Sequence, residues 1–71
     1  QVCEEGALII YTAALKNSTE GPQEAFDYLI SVKAPFSVAN DILGMLHTRW
    51  AKLEPYEVGL EYMKVCMSEV A

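Results

Sequence analysis

Ala7-Leu8-Ile9-Ile10-Tyr11-Thr12-Ala13-Ala14-Leu15 admits two readings, and the choice between them sets the fold. Leu8 to Thr12 is a β-branched and aromatic run that suits a buried strand. Ala7, Ala13 and Ala14 flank it with the strongest helix former, and the whole segment is long. We therefore read a helix from about Cys3 to Lys16. On its 3.6-residue period Cys3, Ala7, Ile10 and Ala14 share one face, with Leu8, Tyr11 and Leu15 beside it.

Working outward, Asn17-Ser18-Thr19-Glu20-Gly21 is a run of turn formers and reads as a loop. Pro22 suits the first position of a second helix, where its missing N–H costs nothing. That helix runs to about Val32, with Ala25, Phe26, Leu29 and Ile30 on its apolar face and Gln23, Glu24, Asp27 and Ser31 toward water. Lys33-Ala34-Pro35-Phe36 breaks it. Ser37 is a favourable N-cap for a third helix that continues to about Trp50. The apolar stripe of this helix is Val38, Ile42, Met45 and Leu46, extended by Leu43 and Trp50. Gly44 weakens the helix by about 1 kcal/mol relative to alanine and suggests a close helix crossing. Pro55 opens a fourth helix ending near Glu69. Glu57, Glu61, Lys64 and Ser68 make its polar stripe. Its apolar arc holds Val58, Leu60, Tyr62, Met63, Val65, Cys66 and Met67, wider than one bundle face requires. Two readings of that arc stand: a central helix in a compact core, or a dimer interface or cavity wall. The fold class is all-α, one domain over residues 1–71, a compact bundle of four short helices, expected to be dimeric.

Bulk properties narrow the function. A 71-residue chain that is 52% hydrophobic carries more apolar surface than one small subunit readily hides. That favours a partner subunit or a bound apolar ligand. Five basic residues against ten acidic ones give a net charge of −5. Lys16, Lys33, Arg49, Lys52 and Lys64 are scattered, so no basic patch is available for phosphates. The second and third helices could be laid out as a helix-turn-helix, but the recognition helix would present Asn40, Asp41 and His47 with Arg49 as its sole nearby cation. Nucleic-acid binding is not expected. No apolar run reaches the roughly 20 residues of a membrane span.

Catalysis and metal binding have no motif behind them. His47 is the one histidine, Cys-x-x-Cys and His-x-x-x-His spacings are absent, and there is no EF-hand loop or Gly-rich phosphate loop. His47 reads as a solvated or helix-capping residue. Glu4-Glu5 reads as an acidic first turn rather than an acid/base pair. The chain is expected to be no enzyme and to need no cofactor.

Two cysteines, Cys3 and Cys66, stand near opposite ends of the sequence. In an antiparallel four-helix chain the first and last turns meet at one end of the bundle. Three states remain open: free thiols, an intrachain bridge or an interchain bridge. A bridge implies an oxidising compartment, whereas buried free thiols suit the cytoplasm. The chain begins with Gln1 rather than Met, as after removal of a signal peptide or equally as a piece of something larger, and Asn17-Ser18-Thr19 is an N-glycosylation sequon. Together they lean toward secretion.

The opening Gln1-Val2-Cys3, the segment Glu24 to Ala34 (EAFDYLISVKA) and the tail Lys64 to Val70 (KVCMSEV) together resemble the secretoglobins, the uteroglobin-like family of small secreted helical proteins. The chain departs from that pattern in having Glu4 where proline follows the first cysteine, and in placing Cys66 about one turn early. The resemblance implies a secreted, non-enzymatic, disulfide-linked dimer, paired with itself or a related subunit, around an apolar cavity for a steroid-like or lipid-like ligand. Apolar-face residues expected to line such a cavity are Phe26, Leu29, Leu43, Leu46, Tyr62 and Met63. The alternative function is an acidic helical interaction module, intracellular or part of a larger assembly, that binds a partner through the wide face of the last helix.

Overall fold

The computed structural model describes residues 2–70, the side chain of residue 70 excepted, and is all-helical over that range. The order is α1 (Val2–Glu20), α2 (Pro22–Ser31), α3 (Phe36–Leu46) and α4 (Pro55–Val70). Gln1 of the opening tripeptide lies outside the described residues.

The ambiguous run Leu8–Thr12 is helical, in the middle of α1. Alanine propensity outweighs the β-branched pair because the helix also buries Cys3, Ile10, Ala13 and Ala14 on one side. The expected loop at Asn17–Glu20 is instead the last turn of α1, one turn longer than its sequence suggests. Local bonds hold that turn: Thr19 Oγ1 donates to the Leu15 carbonyl at 2.9 Å, and Lys16 pairs with Glu20 across one turn at 3.8 Å. Gly21 ends it, with φ +104° and its N–H on the Lys16 carbonyl at 3.0 Å.

Pro22 opens α2 as expected. The helix closes on a Schellman motif, in which Ala34 N–H bonds the Leu29 carbonyl and Lys33 N–H the Ile30 carbonyl, both at 3.0 Å. Lys33 occupies the left-handed position, φ +71°, where glycine is usual.

Two expectations for α3 are corrected. Pro35, not Ser37, precedes the first helical residue, and no side chain caps that end. The helix stops at Leu46 rather than reaching Trp50. There the His47 N–H is shared between the Leu43 and Gly44 carbonyls, and Thr48 Oγ1 takes the Gly44 carbonyl at 2.7 Å. The chain then turns, Trp50 N–H reaches back to the Met45 carbonyl at 2.8 Å, and the indole folds into the core. Gly44 makes no close crossing, since a Cβ there would meet nothing within 4 Å. Pro55 opens α4, and the Glu57 carboxylate accepts from the Glu54 N–H at 2.8 Å, half of a capping box.

In the packing, α1 is the central element and touches all three other helices. α2 and α3 pack on each other, whereas α4 packs on α1 alone among the described helices. Small residues permit the closest approach. A Cβ at Gly59 would lie 3.4 Å from Tyr11 Cβ and 3.6 Å from the Ala7 carbonyl oxygen; one at Gly6 would lie 2.5 Å from the Tyr62 hydroxyl oxygen. Ile10, Ala14, Leu29, Ala39, Ile42, Leu46, Trp50 and Val58 form the shared core. Cys3 and Cys66 are bonded to each other, with Cα atoms 5.8 Å apart, so the first turn of α1 is stapled to the end of α4 within one chain.

The wide apolar arc of α4 is therefore not the centre of a core. Val58 is buried, but Leu60, Val65 and Met67 are exposed. The cause is the single neighbour: α1 covers one stripe of α4, and neither α2 nor α3 reaches the remainder.

Candidate functional site

Because α3 and α4 both lean on α1 without packing on each other, a cleft is left between them. Its volume is about 380 Å³. α1 contributes Gly6, Ile9 and Ile10, and α2 contributes the fully buried Leu29. Val38, Asp41, Ile42 and Met45 come from α3, one side of that helix at i, i+3, i+4 and i+7. Tyr62 is the contribution of α4, and Trp50 comes from the turn segment that follows α3. Most of the lining residues are apolar; Trp50, Tyr62 and the exposed Asp41 are the ones with polar side-chain groups. Half-buried Tyr62 stands over Gly6, which has no side chain to displace it.

Of the six residues expected to line a cavity, Leu29 and Tyr62 meet in this cleft. The other four are distributed. Phe26 and Leu43 border a shallow hollow with Pro22, Gln23 and Asn40 on the outer side of α2 and α3. Leu46 is a core residue beside a mostly polar hollow near Asn17 and Lys52. Met63 joins Leu53, Leu60 and Met67 in a groove along the outer side of α4. Sequence reading missed Ile9 and Gly6 as cleft residues. It assigned Val38, Ile42, Met45 and Trp50 to an undivided core stripe. The gap between α3 and α4 has no local sequence signal, because it arises from which helices do not touch.

Asn17 is half-buried in the last turn of α1, with its Oδ1 3.0 Å from Nε2 of His47. His47 caps the C-terminus of α3 through its backbone and is exposed. Phe36, exposed after Pro35, packs edge-on against Phe26 with ring centres 5.3 Å apart. No cluster of three or more His, Cys, Asp or Glu side chains able to hold a metal occurs among the described residues. No described helix is long and apolar enough to cross a membrane.

A second feature lies on the opposite flank of α4. Tyr56, Leu60 and Met67 are exposed and Met63 is half-buried beside them, at helical spacing. The closeness of Gly59 to Tyr11 sets this stripe next to Leu8, Tyr11 and Leu15 of α1, all exposed. Together they place exposed apolar side chains of two adjacent helices side by side, the kind of grouping that marks interaction surfaces when contiguous. Comparison with family models, curated proteins and solved structures yields no match to this chain.

Proposed function

We propose that this chain is a small non-enzymatic binding protein that takes up a hydrophobic molecule in the cleft between α3 and α4. The observation that carries the reading is the cleft itself: one apolar space, walled by four helices and two aromatic side chains. Its volume of about 380 Å³ falls at the lower end of ligand pockets, which run from about 300 to 1,000 Å³. A compact ligand suits it better than a long lipid. The Cys3–Cys66 bridge supports a secreted or otherwise oxidising setting, because such bonds persist where thiols are not kept reduced. The uteroglobin-like resemblance implies a disulfide between subunits, and the intrachain Cys3–Cys66 bond corrects that expectation, so the reading rests on the cleft and not on the resemblance. The two cysteines are joined within one chain, so a dimer of this form is held by side-chain packing rather than by these sulfurs.

The test uses the chain's single tryptophan, which lines the cleft. Titration with a short uncharged amphiphile such as decanol should change Trp50 fluorescence saturably. Val38→Phe, at the rim where that residue is 43% exposed, should abolish the response by filling the space while leaving the core intact and Trp50 the single tryptophan. Absence of a saturable change in the native protein would refute the proposal.

A second reading is favoured by the apolar face of α1 and α4. Leu8, Tyr11, Leu15, Leu60 and Met67 would be covered by a second copy or by an amphipathic partner helix. Sedimentation velocity over a range of concentrations distinguishes a self-associating chain from one that awaits a different partner. The two readings are compatible, since the cleft and the face lie on opposite flanks of α4.

A further inference from the structure

The α3–α4 cleft contains one formal charge among its lining side chains, the Asp41 carboxylate. Asp41 takes no part in the ion pairs formed among the described residues, which join Lys16 to Glu20 and Lys64 to Glu61. Two aromatic side chains, Trp50 and Tyr62, share the lining with it. Aromatic faces attract cations through the ring quadrupole, and a carboxylate in the same site adds to that attraction. The neighbouring charges do not reverse it. Arg49 and Glu61 both border an adjoining hollow beside Trp50 and Tyr62, and their charges are opposite. The chain as a whole carries −5, so its long-range field also concentrates cations and repels anions. An anionic amphiphile such as a fatty acid would bring its head group toward Asp41 with no basic residue in the cleft to receive it.

We propose that the ligand of this cleft is a small lipophilic cation, an alkylammonium or quaternary ammonium compound. Its apolar part lies against Ile9, Val38 and Met45, the accessible apolar residues of the lining, and its charged group meets Asp41 at the rim. This rests on the reading of the cleft as a ligand site and adds the chemical class of the ligand.

Three ten-carbon probes test it: decyltrimethylammonium and decanoate below their micelle concentrations and decanol below its solubility limit, at low ionic strength, with Trp50 fluorescence as the readout. The cation should bind about fivefold tighter than decanol, as one partly solvated charge pair provides, and decanoate should bind weakest. Raising salt should shrink the difference. Asp41→Asn should remove the advantage of the cation and leave decanol affinity unchanged. Glu24→Gln, the same charge change on the exposed side of α2, should preserve that advantage. Equal affinities for all three probes, a preference for decanoate, or a full cation preference in Asp41→Asn would each overturn the assignment of the ligand class while leaving the cleft as a site. Failure of all three probes to bind would overturn both.

Discussion

Reduction of the Cys3–Cys66 bridge is the perturbation with the largest consequence worked from the structure. The bonded residues are 63 positions apart, so the bridge closes nearly the whole chain into one loop. In the loop-entropy account, opening a loop of that length returns about 14 cal/mol/K to the unfolded ensemble, or about 4 kcal/mol near room temperature. A chain of this size has a total stability of only about 4–10 kcal/mol. Its unfolding entropy near the midpoint is about 150 cal/mol/K, so a loss of about 4 kcal/mol lowers Tm by about 25 °C. The local consequence is as specific as the global one. α4 has α1 as its sole helical neighbour among the described residues, so without the staple its C-terminal turns are held by packing on that one helix. The assay is a thermal melt followed by far-UV circular dichroism on oxidised protein and on protein reduced by a phosphine, with amide hydrogen exchange on the same two samples. Reduction, unlike substitution, leaves the packing of both cysteines in place. We expect the large fall in Tm, with the early loss of exchange protection concentrated in residues 62–69. A fall of less than about 5 °C, or a loss of protection spread evenly over all four helices, would refute the reasoning.

Substitutions at three further positions test the local arguments. Gly44→Ala should raise stability by about 0.5–1 kcal/mol in urea unfolding, since the site is open and helical and the new methyl meets nothing. Lys33→Gly should stabilise by up to about 1 kcal/mol, the relief of the left-handed backbone at φ +71° less the entropy of a freer unfolded chain, read from the same unfolding curves. Gly59→Leu should destabilise by about 1–3 kcal/mol by driving α4 off α1 at Tyr11 and Ala7, whereas Gly59→Ala fits in ordinary contact and should unfold within about 1 kcal/mol of the native protein.

Much of the architecture was readable where local chemistry is decisive. Pro22 and Pro55 mark the starts of α2 and α4, the Lys33–Pro35 break follows α2, and the alternating apolar positions identify the buried sides of Ala25, Leu29 and Ile42. The misreadings occur where two local preferences compete. Asn17, Ser18 and Thr19 favour turns, yet Thr19 and Lys16 find partners inside the helix, and the decisive stop is Gly21. Trp50 falls on the α3 apolar period, yet it reaches the core by a turn rather than by helix continuation, since Thr48 and His47 draw on the last carbonyls of α3. The proximity of Cys3 and Cys66 followed from antiparallel helices, whereas the choice of an intrachain bond did not. The cleft was half legible: Leu29 and Tyr62 were named from their faces, but Gly6, Ile9 and Asp41 join them only because α3 and α4 stay apart. That separation is set by the connection at 47–54 and the close α1–α4 packing at Gly6 and Gly59, which periodicity does not encode.

The central claim is that the space between α3 and α4 is a binding site. The most direct measurement is NMR amide mapping of the native protein during titration with decyltrimethylammonium. The account predicts saturable shifts at residues 6–10 of α1, at 38–45 of α3, and at Trp50 and Tyr62, with little change along Tyr56, Leu60 and Met67. Shifts centred on Leu60 and Met67, or scattered over the surface without saturation, would contradict it and place the binding function on the exposed α1–α4 face.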